Sequence, residues 1–434
     1  VRLGLILYLT SLLTPAAPRL EQYPPQTVRT AHPILCAHTR LTDEVEAWKI
    51  QKTLQLVREM GATTIVELFP WAYIEGQQGR FDWSHPDRII NLARHEGLRV
   101  IARLGVVPEW GRYTPAEWSG PADQRQPRPL YTLPPERYAD YAAFVGAFAA
   151  RYRGVVDHIV PWNEPNLSFE WGGRRVSPAE YADFLKLIHA AAHAANPDVM
   201  ILGAALAPTL EPETSAVALD DVIFLRQLYA AGGGAAFDAL AVHTYGFTLP
   251  ADDPPARDRL NFRRYELLRE VMREFGDGDK PVYITESSWN DHPRWNNAVT
   301  PGERITNTLA AIRLAEERWP AVRALCFWYF RAPVPTRSHP DYFAFVTSEF
   351  RLKPIYLEVK GMAQNLTPQP PLPDAPMNDS WCVRSAGRWE RGSPCVRGAE
   401  PHPPAPSPGR GVPLGEGRSA RADDGVGGAA ERAL

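Results

Sequence analysis

What the chain lacks narrows its identity first. It has four cysteines in 434 residues, too few for a disulfide-built scaffold. Charge of neither sign prevails: 47 Lys and Arg stand against 50 Asp and Glu, a net charge of −3, with no basic stripe. That balance excludes partners recognised by bulk charge, nucleic acid and anionic membrane above all. The apolar run Leu3–Leu13 is too short to span a bilayer stably. Preceded by Arg2 and followed by Ala16 and Ala17, it reads as a signal segment over residues 1–18, which predicts an extracytoplasmic location, secreted or in the cell envelope. Residues 366–434 lack Ile, Phe, Tyr and Lys, and about a third of them are Pro or Gly without a period. They read as a low-complexity, disordered tail, which holds Cys382 and Cys395 and to which no chemistry is assigned.

Aromatic residues are plentiful, with 13 Trp, 16 Tyr and 16 Phe. Flat rings stack on the C–H faces of sugars, and they also fill cores. Between residues 32 and 365 short β-rich runs alternate with longer helical patterns. The spacing predicts strands over Ile34–His38, Thr64–Phe69, Arg99–Leu104, His158–Trp162, Met200–Ala204, Ala239–His243, Val282–Glu286 and Leu325–Phe330. Predicted helices begin near Asp43, Asp87, Pro135, Pro178, Asp220, Arg259, Thr300 and Lys353. Ser177-Pro178 and Thr300-Pro301-Gly302-Glu303 carry the start signals of helices. A dinucleotide-binding open sheet would have a glycine fingerprint after its first strand; Thr39-Arg40-Leu41-Thr42-Asp43-Glu44 has no glycine. Eight strand–helix units without that fingerprint give an α/β fold of the (β/α)8 TIM-barrel class.

Reacting groups in such barrels come from the C-terminal ends of strands and the loops beyond. Strand four closes on Trp162-Asn163-Glu164-Pro165 and strand seven on Thr285-Glu286-Ser287. Two carboxylates facing across a barrel mouth suit glycosidic cleavage. One must be a protonated acid for the leaving oxygen, the other an ionised nucleophile or stabiliser. Their mutual repulsion drives the two pKa values apart.

The segment resembles the clan A glycoside hydrolases, cellulase-like and most similar to families 39 and 5. Asn163-Glu164-Pro165 resembles the clan's acid/base motif and Glu286 its strand-seven nucleophile. Trp71-Ala72-Tyr73-Ile74-Glu75-Gly76 through Gly79-Arg80-Phe81-Asp82-Trp83 resembles a stretch found after strand two, and His243-Thr244-Tyr245 the end of strand six. The resemblance implies that Glu164 and Glu286 are catalytic, that Asn163 binds a 2-hydroxyl, that Tyr245 holds Glu286 and that Trp328 floors the sugar subsite. His243, His38, Trp289 and Trp110 join them as substrate-binding candidates because they end strands or adjoin these motifs. One departure stands out: strand two has no arginine to support the nucleophile, as family 5 members usually do.

Other residues invite competing readings. Glu67, Glu109 and Glu170 are further carboxylates; Glu67, if it faces the lumen, would pair with Arg103. Tryptophans 71, 110, 118, 162, 171, 289, 295 and 328 fall at or beyond strand ends and suggest a sugar-lined cleft, with core packing as the alternative. His189 and His193 have the helical spacing of a zinc pair, yet the sequence offers no third ligand, so they read as a surface pair. Gly232-Gly233-Gly234 is followed by no Lys-Ser/Thr and is no phosphate cradle. Cys36 and Cys326 fall in the first and eighth strands and read as buried thiols, with a bridge as the alternative in an exported chain. The expected activity is hydrolysis of a β-linked glycoside or polysaccharide with retention, without metal or organic cofactor. A transglycosylase with the same residues, a non-catalytic carbohydrate-binding barrel and a metal-dependent hydrolase are the rivals.

Overall fold

The computed structural model describes residues 24–112 and 129–364. The expected signal segment, the tail from 366, Trp118, Cys382 and Cys395 lie outside them. Eight parallel strands close into a barrel in sequence order: β1 (Leu35–His38), β2 (Thr64–Pro70), β3 (Arg99–Gly105), β4 (His158–Val160), β5 (Met200–Leu206), β6 (Ala239–His243), β7 (Val282–Ser287) and β8 (Val322–Phe327). A long helix follows each in turn: α1 (Ala47–Met60), α2 (Ser84–His95), α3 (Tyr138–Arg151), α4 (Pro178–Ala195), α5 (Asp221–Ala230), α6 (Tyr265–Glu274), α7 (Pro301–Arg318) and α8 (Pro354–Ala363). The (β/α)8 expectation therefore holds.

Local chemistry explains several boundaries. The Ser177 hydroxyl accepts the Glu180 N–H at the start of α4, and Thr300 with Glu303 closes a reciprocal capping box on α7. The last strand differs from expectation. It ends at Phe327 rather than Phe330, so Trp328 stands just beyond β8.

Side chains on a strand alternate between two faces, and here the faces form two cores. One core lies between strands and helices and includes Leu35, Ile65, Ala102 and Ile284. The other fills the lumen with Cys36, Val66, Ile101, Val160, Ala241 and Cys326. The alternation carries onward along each strand. His38, Arg103 and His243 come two residues after Cys36, Ile101 and Ala241 and so share the lumen face.

The same alternation corrects two expectations. Glu67 comes next after the lumen-facing Val66 and points the other way, so it does not meet Arg103. Its carboxylate instead accepts Thr39 Oγ1 at 2.6 Å and the N–H groups of Leu41 and Thr42, both at 2.9 Å, tying down the chain after β1. Burial pushes its pKa up to about 7 against those three hydrogen bonds. Cys36 and Cys326 are not free thiols: they are register partners on β1 and β8 and are joined by a disulfide.

Candidate active site

Glu164 sits just past β4, in the left-handed region with φ 40°. A non-glycine residue there is strained and persists only where its surroundings hold it. The hold is visible. The Glu164 N–H donates to Ala205 O at 3.1 Å, next to a register shift in β5 between Ala204 and Leu206. Asn166, fully buried, donates to Ala207 O and Leu219 O and accepts the Ala207 N–H, pinning the loop to the chain after β5.

Glu286 owes its direction to a second irregularity. Val242 pairs with Ile284, but His243 pairs with Glu286, so Thr285 is an extra residue. Plain alternation would put Glu286 on the outward face with Ile284; the shift turns it into the mouth beside His243. There Tyr245 Oη donates to Glu286 Oε2 at 2.8 Å, and Arg103 Nη1 approaches Oε1 at 3.2 Å. His38 Nε2 lies 3.5 Å from Oε1.

His243 stands between the two carboxylates. Its Nδ1 is 2.8 Å from Glu164 Oε1 and 3.8 Å from Glu286 Oε2. Burial and the neighbouring Glu286 charge raise the Glu164 pKa, against the pull of His243 and Arg103. Burial alone would raise Glu286 too, but His243, Arg103 and the Tyr245 hydroxyl outweigh it and hold the carboxylate below its usual range. His243 is itself held above its usual value by the two carboxylates in spite of burial. Burial drives His38 down to about 3, so its ring is neutral at ordinary pH. Both its nitrogens are buried without a hydrogen-bond partner among the described residues. The site thus holds two carboxyl groups side by side whose surroundings push their pKa values in opposite directions.

The structure brings Asn163, Tyr245, His243, His38 and Trp328 to this mouth. Asn163 Oδ1 accepts Arg103 Nη1 at 2.7 Å. Trp328 is only 9% exposed and packs with Tyr245, Tyr329 and Phe343. Trp289 and Trp110 do not join them. The Trp289 ring is 0% exposed, packed on Phe262, and its Nε1 donates to Leu249 O at 2.8 Å. Trp110 is half-buried, edge-on to Trp71, with Nε1 donating to Glu75 O at 2.8 Å. Trp71, Trp162 and Trp171 are also buried, so core packing claims much of the expected aromatic lining. Glu75 accounts for the stretch after β2: it accepts Trp71 Nε1 at 2.7 Å and the Gly79 N–H at 2.6 Å, a structural tie.

Two residues gain a place that sequence reasoning had not given them. Arg103 supplies from β3 the guanidinium that strand two lacks; a charged residue within the apolar stretch Val100–Leu104 was the available signal. Glu170 is buried near the pair, where burial and the Glu164 charge push it up to about 8. It is therefore largely neutral at pH 7 and adds little charge to the mouth. Glu109 is exposed.

A closed parallel barrel with paired carboxylates just past β4 and near the end of β7 is an arrangement that suits glycosidic cleavage, and comparison with known proteins points to that class. The model of a family described as β-galactosidase, glycoside hydrolase family 42, matches residues 42–114. That segment runs through β2 and β3 and contains neither Glu164 nor Glu286. No curated protein matches the chain. Among solved structures, a family 39 glycoside hydrolase from the gut symbiont Bacteroides cellulosilyticus WH2 is similar at 17% identity and TM-score 0.61, over 79% of this chain and 66% of that one. A monomeric β-xylosidase from Caulobacter crescentus CB15 is similar at 20% identity and TM-score 0.53, over 76% and 69%. A family 5 member, GH5_18 from Streptomyces cattleya, matches at 15% identity and TM-score 0.54, over 81% and 83%. The chain spans just under two thirds of the length of the first of these. These three structures are glycoside hydrolases, as the resemblance in the sequence implies.

Proposed function

We propose that this protein is a retaining O-glycoside hydrolase acting on a β-linked glycoside or polysaccharide. The observation that carries the reading is the closeness of its two carboxyl groups. One oxygen of Glu164, one of Glu286 and His243 Nδ1 all lie within 4.8 Å of one another. Retention needs carboxyl groups about 5–5.5 Å apart, and inversion about 6.5–9.5 Å to admit a water. The opposed pKa directions assign the roles. Glu164 gives its proton to the leaving oxygen as Glu286 attacks the anomeric carbon. Glu164, now a base, takes a proton from water, and that water displaces Glu286 from the sugar. Tyr245 and Arg103 keep Glu286 ionised and aimed. His38 and Asn163 present polar atoms to the sugar, and Trp328 gives it an aromatic floor.

The three donor atoms of Glu164, His243 and Glu286 are also close enough for one metal ion. The hydroxyl of Tyr245 and the guanidinium of Arg103 already occupy Glu286, and a cation beside Arg103 is repelled. The reading therefore needs no metal. It includes export, and the Cys36–Cys326 disulfide supports that part, because such bonds persist in oxidising compartments.

The test is turnover of aryl β-glycosides, with xylosides and galactosides first because a similar structure and the matching family carry those activities in their names. The product anomer is followed by NMR, and the enzyme is trapped with a 2-fluoro sugar. Net retention and a label on Glu286 support the proposal. An inverted product, or a label elsewhere, overturns it.

A further inference from the structure

At the opposite end of β6 from His243 the fold assembles a second cluster. His189 and His193 lie four residues apart on α4 and face the same way, with ring centroids 4.2 Å apart. Spacing along the chain offers this pair no third ligand. The structure supplies Asp238, 45 residues beyond His193, just before β6. His189 Nε2 is 3.4 Å from Asp238 Oδ1, and His193 Nε2 is 3.0 Å from Oδ2.

These separations bear on a metal. Zinc bonds to imidazole nitrogen and carboxylate oxygen are about 2.0–2.2 Å, so two ligand atoms on one tetrahedral ion stand roughly 3.3 Å apart. The two measured contacts bracket that edge length, and one donor atom from each residue falls within 4.8 Å of the others. The carboxylate is anchored independently. Oδ2 also accepts the Ile201 N–H at 2.7 Å, and the Asp238 N–H donates to Ile201 O at 2.9 Å. Such outer contacts fix the orientation of a ligating group. All three side chains are 27–28% exposed, which leaves an entry path and room for water as a fourth ligand.

We propose that His189, His193 and Asp238 form a binding site for one divalent cation of the zinc type, bridging α4 to the start of β6. Two neutral imidazoles and one carboxylate favour zinc over the harder magnesium and calcium ions. The bridge ties an outer helix to the β5–β6 edge of the barrel. His243 is five residues up the strand, about 16 Å away, so the ion braces the fold without entering the catalytic mouth.

Isothermal titration of the full chain with zinc chloride tests this, with magnesium chloride as the control. It is repeated on His193→Ala, His189→Gln and Glu286→Gln. One zinc per chain bound by wild type and by Glu286→Gln, and bound at least about tenfold more weakly by both histidine variants, is expected. A rise in Tm with zinc accompanies it in wild type and is lost in His193→Ala, whose kcat without zinc stays at the wild-type level. No binding by wild type overturns the site, as does undiminished affinity in either histidine variant. Loss of binding in Glu286→Gln also overturns it, because the ion then sits in the catalytic mouth. Failure of the glycosidase reading leaves the zinc titrations and the Tm shift unaffected.

Discussion

Arg103 reaches Glu286 from across the barrel, with Nη1 3.2 Å from Oε1, although β3 and β7 lie on opposite sides of the ring. The same Nη1 donates to Asn163 Oδ1 at 2.7 Å. One guanidinium nitrogen thus spans from the proposed nucleophile to the neighbour of the proposed acid. Replacing Arg103 by Met removes both contacts and leaves Glu286 on Tyr245 and His243. The expected outcome is a loss of kcat of about 100-fold, comparable to deleting one preorganised donor. Steady-state kinetics on an aryl glycoside checks it. Unchanged kcat would remove Arg103 from the machinery.

His243→Gln should move the whole pH profile. In Glu164 the push of burial is opposed by His243, and in Glu286 burial is likewise opposed by His243. Removing the imidazole therefore raises both values. Activity requires Glu286 ionised and Glu164 protonated, so the acidic and basic limbs of kcat/KM both shift to higher pH. The two limbs report macroscopic values of the pair. A shift of either limb downward contradicts the electrostatic picture.

Glu164→Ala separates the two chemical steps. An aryl substrate with a good leaving group still forms the glycosyl-enzyme, but no base activates water, and turnover falls by about 10²–10⁴. Azide added to this variant should restore turnover and yield a β-glycosyl azide, which mass spectrometry and NMR identify. Absence of that product counts against Glu164 as the acid/base.

The tryptophans divide by burial. Trp289→Ala removes a fully buried ring and should cost about 3–5 kcal/mol in stability by denaturant unfolding. A methyl group at Gly246 would stand 1.8 Å from the Trp289 ring, so Gly246→Ala should be similarly disruptive. Trp328→Ala, at the mouth, should instead raise KM with a smaller loss of stability. Reversal of that pattern would exchange their roles.

Much of the barrel was legible because strands and helices alternate with different apolar periods, and hydroxyl and proline caps mark α4 and α7. Glu164 and Glu286 were legible because strand ends are where this fold places chemistry. What escaped depended on strand phase. Arg103 and Glu67 each lie inside a strand, and only the lumen face seen in Cys36, Val66 and Ile101 shows that Arg103 points inward and Glu67 outward. The shift at Thr285 inverts that phase for Glu286 and leaves no mark in composition. Asp238 meets His193 only because α4 packs against β5 and the segment Gly233–Ala236 that leads into β6, a relation that spacing along the chain does not contain.

The bond between Cys36 and Cys326 has a consequence for how the loops around the mouth can change. It joins residues 290 apart in sequence, one on the first strand and one on the last. All the loops that come after β1 through β7 lie inside the covalent circle it closes. A protease cut in any one of them leaves two pieces still tethered at the seam of the ring. Those loops are free to be clipped, lengthened or exchanged while the strands at the seam stay fastened, and a nicked chain comes apart only when a reductant opens the clasp.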